Sequence, residues 1–262
     1  MIAGGNLIAI TGGKHRRKFK SLPDDPGEIP IYSLSEVARS LQMSGDTLTD
    51  WTRPRKAYGR RRENFAPMIE VDHSGDALFS FNNVIEAHML IGARRTHKVS
   101  TLNLRRAMEW TRQQMPSRHP LIDYKFQTNG KHLFVSRLIE NQIMELRESG
   151  LAENEPLYNA SLLGQGEMIE IVDLFLTRIE RESGLAVRLY PIKPKTNVAF
   201  RPVMMDMALA SGQLVIAESG VSAQAVYGRY KFSNHSIERL ARDYRLTEDR
   251  IRGAIEYLTK AA

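Results

Sequence analysis

The stretch IYSLSEVARSLQMSGDTLTDWTRPRK, residues 31–56, decides how this chain is read. Ser33 followed three residues later by Glu36 is a capping-box signature. Leu34, Val37, Ala38 and Leu41 recur at three- and four-residue steps and predict a short amphipathic helix over about 34–41. Met43 then plugs a turn, Ser44 or Asp46 caps a second helix, and Leu48 and Trp51 face inward. Two short helices around a tight turn, crossing at a small alanine, make a helix-turn-helix.

Directly behind it, RPRKAYGRRR places six basic residues in ten: Arg53, Arg55, Lys56, Arg60, Arg61 and Arg62. The following APMIEVDHSGDALFSF predicts two short strands, Met68–Val71 and Ala77–Phe81, joined by the turn-forming His73–Asp76. Helix-turn-helix plus hairpin is a winged arrangement. A recognition helix needs small polar side chains toward base edges, with Arg and Lys on phosphates. Ser44, Thr47, Thr49, Asp50 and Thr52 are placed on the outward side of the second helix, and Arg53, Arg55, Lys56, Tyr58 and Arg60 to Arg62 on backbone or in the minor groove, whose potential attracts arginine. Asp46 and Asp50 sit awkwardly beside phosphate. An aspartate there accepts from a cytosine amino group or caps the helix.

Charge supports the same end of the chain. The 262 residues carry a net charge of +7. Residues 1–118 hold 19 Lys+Arg against 12 Asp+Glu, and residues 119–262 hold 18 of each, so the whole excess lies in the first part. Clustered cations favour a polyanionic partner through counterion release. There is no cysteine, so disulfides and thiolate metal sites are excluded and a cytoplasmic location is expected. No apolar run approaches the ~18–20 residues that span a bilayer. GxGxxG, P-loop and GxSxG motifs are absent, and the seven histidines make no HxxxH or HxxEH spacing. The expectation is therefore a non-enzyme with no cofactor and no metal. His88 is expected to be a packed or surface side chain and not a ligand, and Glu167, Glu170 and Asp173 a solvated helix face.

The rest divides as follows. Residues 1–30, with the basic cluster Lys14–Lys20 and the turn-rich SLPDDPGEIP, read as a flexible tail. Residues 31–118 form the winged domain, completed by a helix from Asn82 or Asn83 along FNNVIEAHMLIGARRTHKV and another from Thr101 to about Met115. Residues 119–197 form a middle α/β region: a hairpin (Tyr124–Gln127 with His132–Val135), a mixed helix Ser136–Ser149, an amphipathic helix Glu167–Glu182, and a strand Leu185–Tyr190 before the linker PIKPK. Residues 198–262 form a helical module with helices Ser222–Tyr230, Ser236–Tyr244 and Thr247–Leu258. Its SIERLARDYRLTEDRIRGAIEYL reads as a second bihelical turn. Glu248, Asp249 and Glu256 favour packing, dimerisation or partner binding over DNA contact. The fold class is mainly α with small β-hairpins, an N-terminal winged helix-turn-helix and a C-terminal helix-turn-helix-like module.

YSLSEVARSLQMSGDTLTDW with the wing and FNNVIEAHMLIGARRTHKVS resembles the MerR-like winged helix-turn-helix. GQLVI…GVSAQAVYGRYKFSNHSIERLARDYRLTEDRIRGAIEYL is similar to the domain of unknown function 433, through Ser236-Ile237-Glu238, Leu240-Ala241, Asp243-Tyr244, Leu246, Ile251, Ala254-Ile255 and Tyr257. It departs from that pattern at Gly212–Ile216 and Ala217–Val221, where the usual proline and arginine are missing. Together the two parts resemble a VapB-type antitoxin subfamily. That resemblance implies a homodimeric transcription repressor that binds double-stranded operator DNA of its own operon and neutralises a PIN-domain ribonuclease toxin. The alternative is a dimeric regulator without a toxin partner.

Overall fold

The structure, a computed structural model, describes residues 24–56, 64–72, 79–97, 99–114, 117–122, 175–192 and 201–259. The described chain runs β1 (Pro30–Tyr32), α1 (Leu34–Ser40), α2 (Gly45–Trp51), β2 (Arg55–Lys56), β3 (Asn64–Phe65), β4 (Phe79–Ser80), α3 (Phe81–His97) and α4 (Thr101–Gln114). It continues with β5 (Ile179–Glu182), β6 (Leu185–Leu189), β7 (Val203–Asp206), β8 (Leu214–Ile216), α5 (Ala223–Ser233), α6 (Ile237–Tyr244) and α7 (Glu248–Leu258). Helices and small antiparallel sheets thus make up the architecture, and none of these helices is long and apolar enough to cross a membrane.

Three expectations change. The strands predicted at 68–71 and 77–81 do not pair as a hairpin. The amides of Met68 and Ile69 donate to the Trp51 carbonyl at 2.8 and 3.1 Å, β4 pairs with β1, and Phe81 opens α3; residues 73–78 lie outside the described residues. Of the helix predicted over 167–182, residues 167–174 lie outside the described residues, and the described end is only partly helical. Phe175 and Leu176 are helical, but Ile179–Glu182 is a strand turning through Ser183 and Gly184 into β6. Both turn residues have positive φ (51° and 85°), the geometry a two-residue hairpin needs, and a Ser-Gly pair signals it. The predicted tail is ordered at its end. Asp25 caps a short 3-10 turn (Pro26–Glu28), and Asn82 at the start of α3 donates to both Asp25 and Glu28.

Strands β7 and β8 were not anticipated. They complete a four-stranded sheet in the order β5-β6-β7-β8. Arg188 on β6 fixes the register by pairing with Glu180 on β5 and with Asp206 on β7, the residues directly opposite it. The predicted hairpin at 124–135 and helix at 136–149 lie outside the described residues.

Buried residues of α1–α4, the sheet and α5–α7 form one contiguous apolar core. Two close approaches need glycine. Gly92 on α3 lies under the Phe175 ring, which a Cβ would meet at 2.8 Å. Gly212, at φ 75°, lies against the Tyr32 hydroxyl, which donates to its carbonyl at 3.0 Å.

Candidate nucleic-acid interface

Local chemistry builds the α1–α2 unit. The Ser33 hydroxyl accepts from the Glu36 amide and the Glu36 carboxylate accepts from the Ser33 amide at 2.8 Å, closing the capping box and holding the Glu36 carboxyl below its usual range. The other end closes as a Schellman turn. Gln42 takes a left-handed φ of 52°, its amide reaches the Arg39 carbonyl, and the Met43 amide reaches Ala38 at 2.9 Å. Ser44 then caps α2 by accepting from the Thr47 amide. Leu41, Leu48 and Trp51 are buried, as the periodicity predicts.

The α6–α7 unit repeats this turn almost atom for atom. Arg245 is left-handed, the Leu246 amide reaches Ala241 at 2.9 Å, and Thr247 caps α7. The two second helices nevertheless differ in use. α2 buries only Leu48 and Trp51. α7 buries Ile251, Gly253, Ala254, Ile255, Tyr257 and Leu258, and its Arg250 is paired with Glu218. α2 keeps an outward face; α7 is a core helix.

On α2, Ser44 and Asp46 are exposed, while Thr47, Thr49 and Asp50 are partly so. The Ser44 hydroxyl donates to the Thr47 hydroxyl at 2.8 Å, so the pair presents one shared polar spot. Thr52 does not join them. It is buried, and its hydroxyl donates to the Thr49 carbonyl at 3.0 Å, finishing the helix instead of facing out. Asp50 also has a role that the sequence did not reveal. Its carboxylate lies 3.7 Å from Arg55 and 3.3 Å from Arg105, so it is the counterion of two arginines.

Arg105, on α4, was not among the expected functional residues. Its side chain is buried, and its guanidinium donates to the carbonyls of Asp50, Arg53 and Ala66. Those carbonyls belong to the end of α2, the entrance of the next hairpin and its exit. Arg105 occupies a core slot in the α4 stripe Thr101, Leu104, Arg105 and Met108, and a cation in such a slot is the only sequence sign of it.

The hairpin itself lies earlier in the chain than expected. β2 pairs antiparallel with β3, Arg55 opposite Phe65 and Lys56 opposite Asn64. Arg53 and Arg55 are exposed. Tyr58, Arg60, Arg61 and Arg62 fall in the connecting residues 57–63, outside the described residues. The chain order alone places them between the two strands.

A buried polar network joins the 3-10 turn, the start of α3 and the segment after α4. His119 lies 2.9 Å from Glu86 on α3 through Nδ1 and 2.9 Å from Glu28 through Nε2, and Glu28 also meets Arg118 at 2.8 Å. Burial works to lower the His119 pKa, but its two carboxylate partners carry it up to about 9. Burial raises Glu86 against the pull of His119. Burial also works to raise Glu28, yet its bonds to His119 and Asn82 hold it below its ordinary value. The Ser80 hydroxyl accepts from the Asn83 amide, and the Asn83 side chain accepts from the Ser80 amide, so Ser80 caps α3 in place of Asn82 or Asn83. His88 is packed 4.9 Å from the Phe175 ring, and burial pushes its pKa down to about 3. Among the described residues no three His, Asp or Glu side chains are grouped to hold a metal.

No family model matches the chain. It is 27% identical over 244 residues to a Mycobacterium tuberculosis protein named "Putative antitoxin VapB45", an alignment covering 87% of this chain and 94% of that one. Among solved structures it resembles the crystal structure of Rv2018 from Mycobacterium tuberculosis, with a TM-score of 0.59 and 22% identity over 87% of this chain and 97% of the other. That likeness is one of fold.

Proposed function

We propose that the chain is a sequence-specific DNA-binding antitoxin: a MerR-like winged helix-turn-helix joined to a C-terminal domain of the unknown-function 433 type. In this reading it represses its own operon as a homodimer in the cytoplasm and neutralises a PIN-domain ribonuclease. The observation that carries the reading is the hairpin β2–β3. It follows α2 directly, and its connecting residues contribute Tyr58 and three consecutive arginines. The relative named as an antitoxin supports the toxin-directed part.

Ser44, Thr47 and Thr49 are then the base-facing side chains, and Arg53, Arg55, Lys56 and Arg60 to Arg62 hold phosphates. Asp50 serves as counterion, and Thr52 leaves the set because it is buried. Two copies would set their α2 helices about one duplex turn, ~34 Å, apart. Fluorescence anisotropy on the upstream promoter region tests this. Arg60→Ala is expected to weaken binding to all sequences alike and to lower the salt slope by ~1, whereas Thr47→Ala relaxes sequence preference. Binding that ignores neutralisation of Arg60, Arg61 and Arg62 together would end the DNA reading. The absence of a PIN-domain ribonuclease gene beside this one, or failure to co-purify with its product, would end the antitoxin reading alone.

A further inference from the structure

We propose that Arg105 is the positioning residue of the DNA-contact surface. From α4 it joins the end of α2 to the base of the basic hairpin, so the two meet a duplex as one rigid unit. The proposal rests on the DNA reading above.

The hairpin is weak by itself. β2 and β3 are two residues each, and an isolated two-stranded ribbon of that size does not hold an orientation in water. Something must fix it to α2. The chain between them, Thr52 to Pro54, is short but does not by itself set an angle. The amides of Met68 and Ile69 tie the segment after β3 to the Trp51 carbonyl, and Arg105 adds the link to both ends of the hairpin itself by geometry. One Nη donates to the Arg53 carbonyl and to the Ala66 carbonyl, both at 3.3 Å, thereby closing the hairpin at its base. The other Nη donates to the Asp50 carbonyl in the last turn of α2 and lies 3.3 Å from the Asp50 carboxylate.

The planar fork of guanidinium suits this task, because its donors have fixed directions. A cation at the C-terminal end of α2 also meets the negative end of the helix dipole. The side chain is only 1% exposed, so it touches no phosphate itself. It acts through Asp50, Arg53 and Ala66. Its charge is matched by Asp50, which explains why an acidic residue stands on a helix next to a basic run: the aspartate belongs to the clamp, not to base reading. A lysine here carries one nitrogen and cannot span three carbonyls in these directions.

Two measurements test the proposal. The chain has no cysteine, so Asp46→Cys and Asn64→Cys give a clean pair of nitroxide labels on α2 and β3. The parent should give one narrow distance distribution, and Arg105→Lys and Arg105→Met broad ones, at unchanged helical circular dichroism. On DNA, affinity for the operator fragment should fall by roughly ten- to a hundredfold, as for loss of base contacts. Affinity for random duplex and its salt slope should stay within about twofold, because both depend on the arginines and not on their angle. A narrow distribution in both variants overturns the positioning role, whatever the DNA result. Equal losses on operator and random duplex overturn it too. If the parent binds no DNA while the variants broaden, the DNA reading falls and the clamp stands. If Arg105→Met does not fold, the milder Arg105→Lys decides.

Discussion

Replacing Tyr257 with phenylalanine removes one hydrogen bond and almost no volume, so its cost isolates a single contact between distant parts of the chain. The α1 helix has seven residues, and the carbonyls at its C-terminal end need partners outside the regular ladder. Those of Val37, Ala38 and Arg39 accept from the amides of Leu41, Met43 and Gln42. The Ser40 carbonyl accepts from the Tyr257 hydroxyl at 2.7 Å. Tyr257 is buried on α7, and burial pushes its phenol well above the usual range, so the proton is held at every practical pH. Phenylalanine keeps the ring packing but leaves a buried carbonyl without a donor, which costs ~1–3 kcal/mol. At ~2–4 °C per kcal/mol for a chain of this size, Tm should drop by ~2–12 °C. Urea titration should show a lower midpoint with an unchanged slope. Amide exchange at Met43 and Ser44 should quicken, since the turn loses its outside anchor. Tyr230→Phe, at an exposed site, is the control and should stay within ~0.5 kcal/mol. If Tyr257→Phe behaves like that control, then α7 does not hold the α1–α2 turn and the accounting is wrong.

Other outcomes follow from the same contacts. His119→Gln should cost most at pH 6 and progressively less as pH rises. A histidine whose folded pKa is about 9, against 6.5 unfolded, contributes stability that is complete below ~6.5 and lost as pH passes 9; urea midpoints of parent and variant at pH 6 and pH 10 check this, and a gap that widens with pH refutes it. His88 has the opposite sign: its pKa of about 3 keeps it neutral, so stability is lost as pH falls from ~6.5 toward 3, and His88→Leu should flatten that acid limb in thermal melts. Gly212→Ala sets a Cβ 2.0 Å from the Tyr32 hydroxyl at a positive φ, so a loss above ~1 kcal/mol is expected in denaturant titration, with Tyr32→Phe failing to restore the φ component.

Much of the N- and C-terminal helices could be read from the sequence. The caps Ser33, Ser44, Ser236 and Thr247 act within three residues of themselves, and the spacing of Val37, Leu41, Leu48 and Trp51 repeats within two turns. The hairpin β2–β3 is not visible in the sequence because its strands are two residues long, too short for alternation to show. Met68–Val71 has the apolar look of a strand, but its backbone is taken by Trp51, Asn83 and Arg112. β7 and β8 were hidden for the opposite reason: fully buried strands lack alternation, and Val203–Asp206 and Leu214–Ile216 show only short apolar runs.

Two capped helices ahead of a dense run of arginines are legible along the chain, because caps, turns and charge act over a few residues. Tertiary structure alone decided which side chains remain free to meet a partner. Thr52 was withdrawn into a helix end, Asp50 was assigned to two arginines, and Arg105 and Tyr257 were brought in from 55 and 217 residues away. Such partners cannot be seen locally, since a buried cation or phenol is satisfied by whichever carbonyls the fold carries to it.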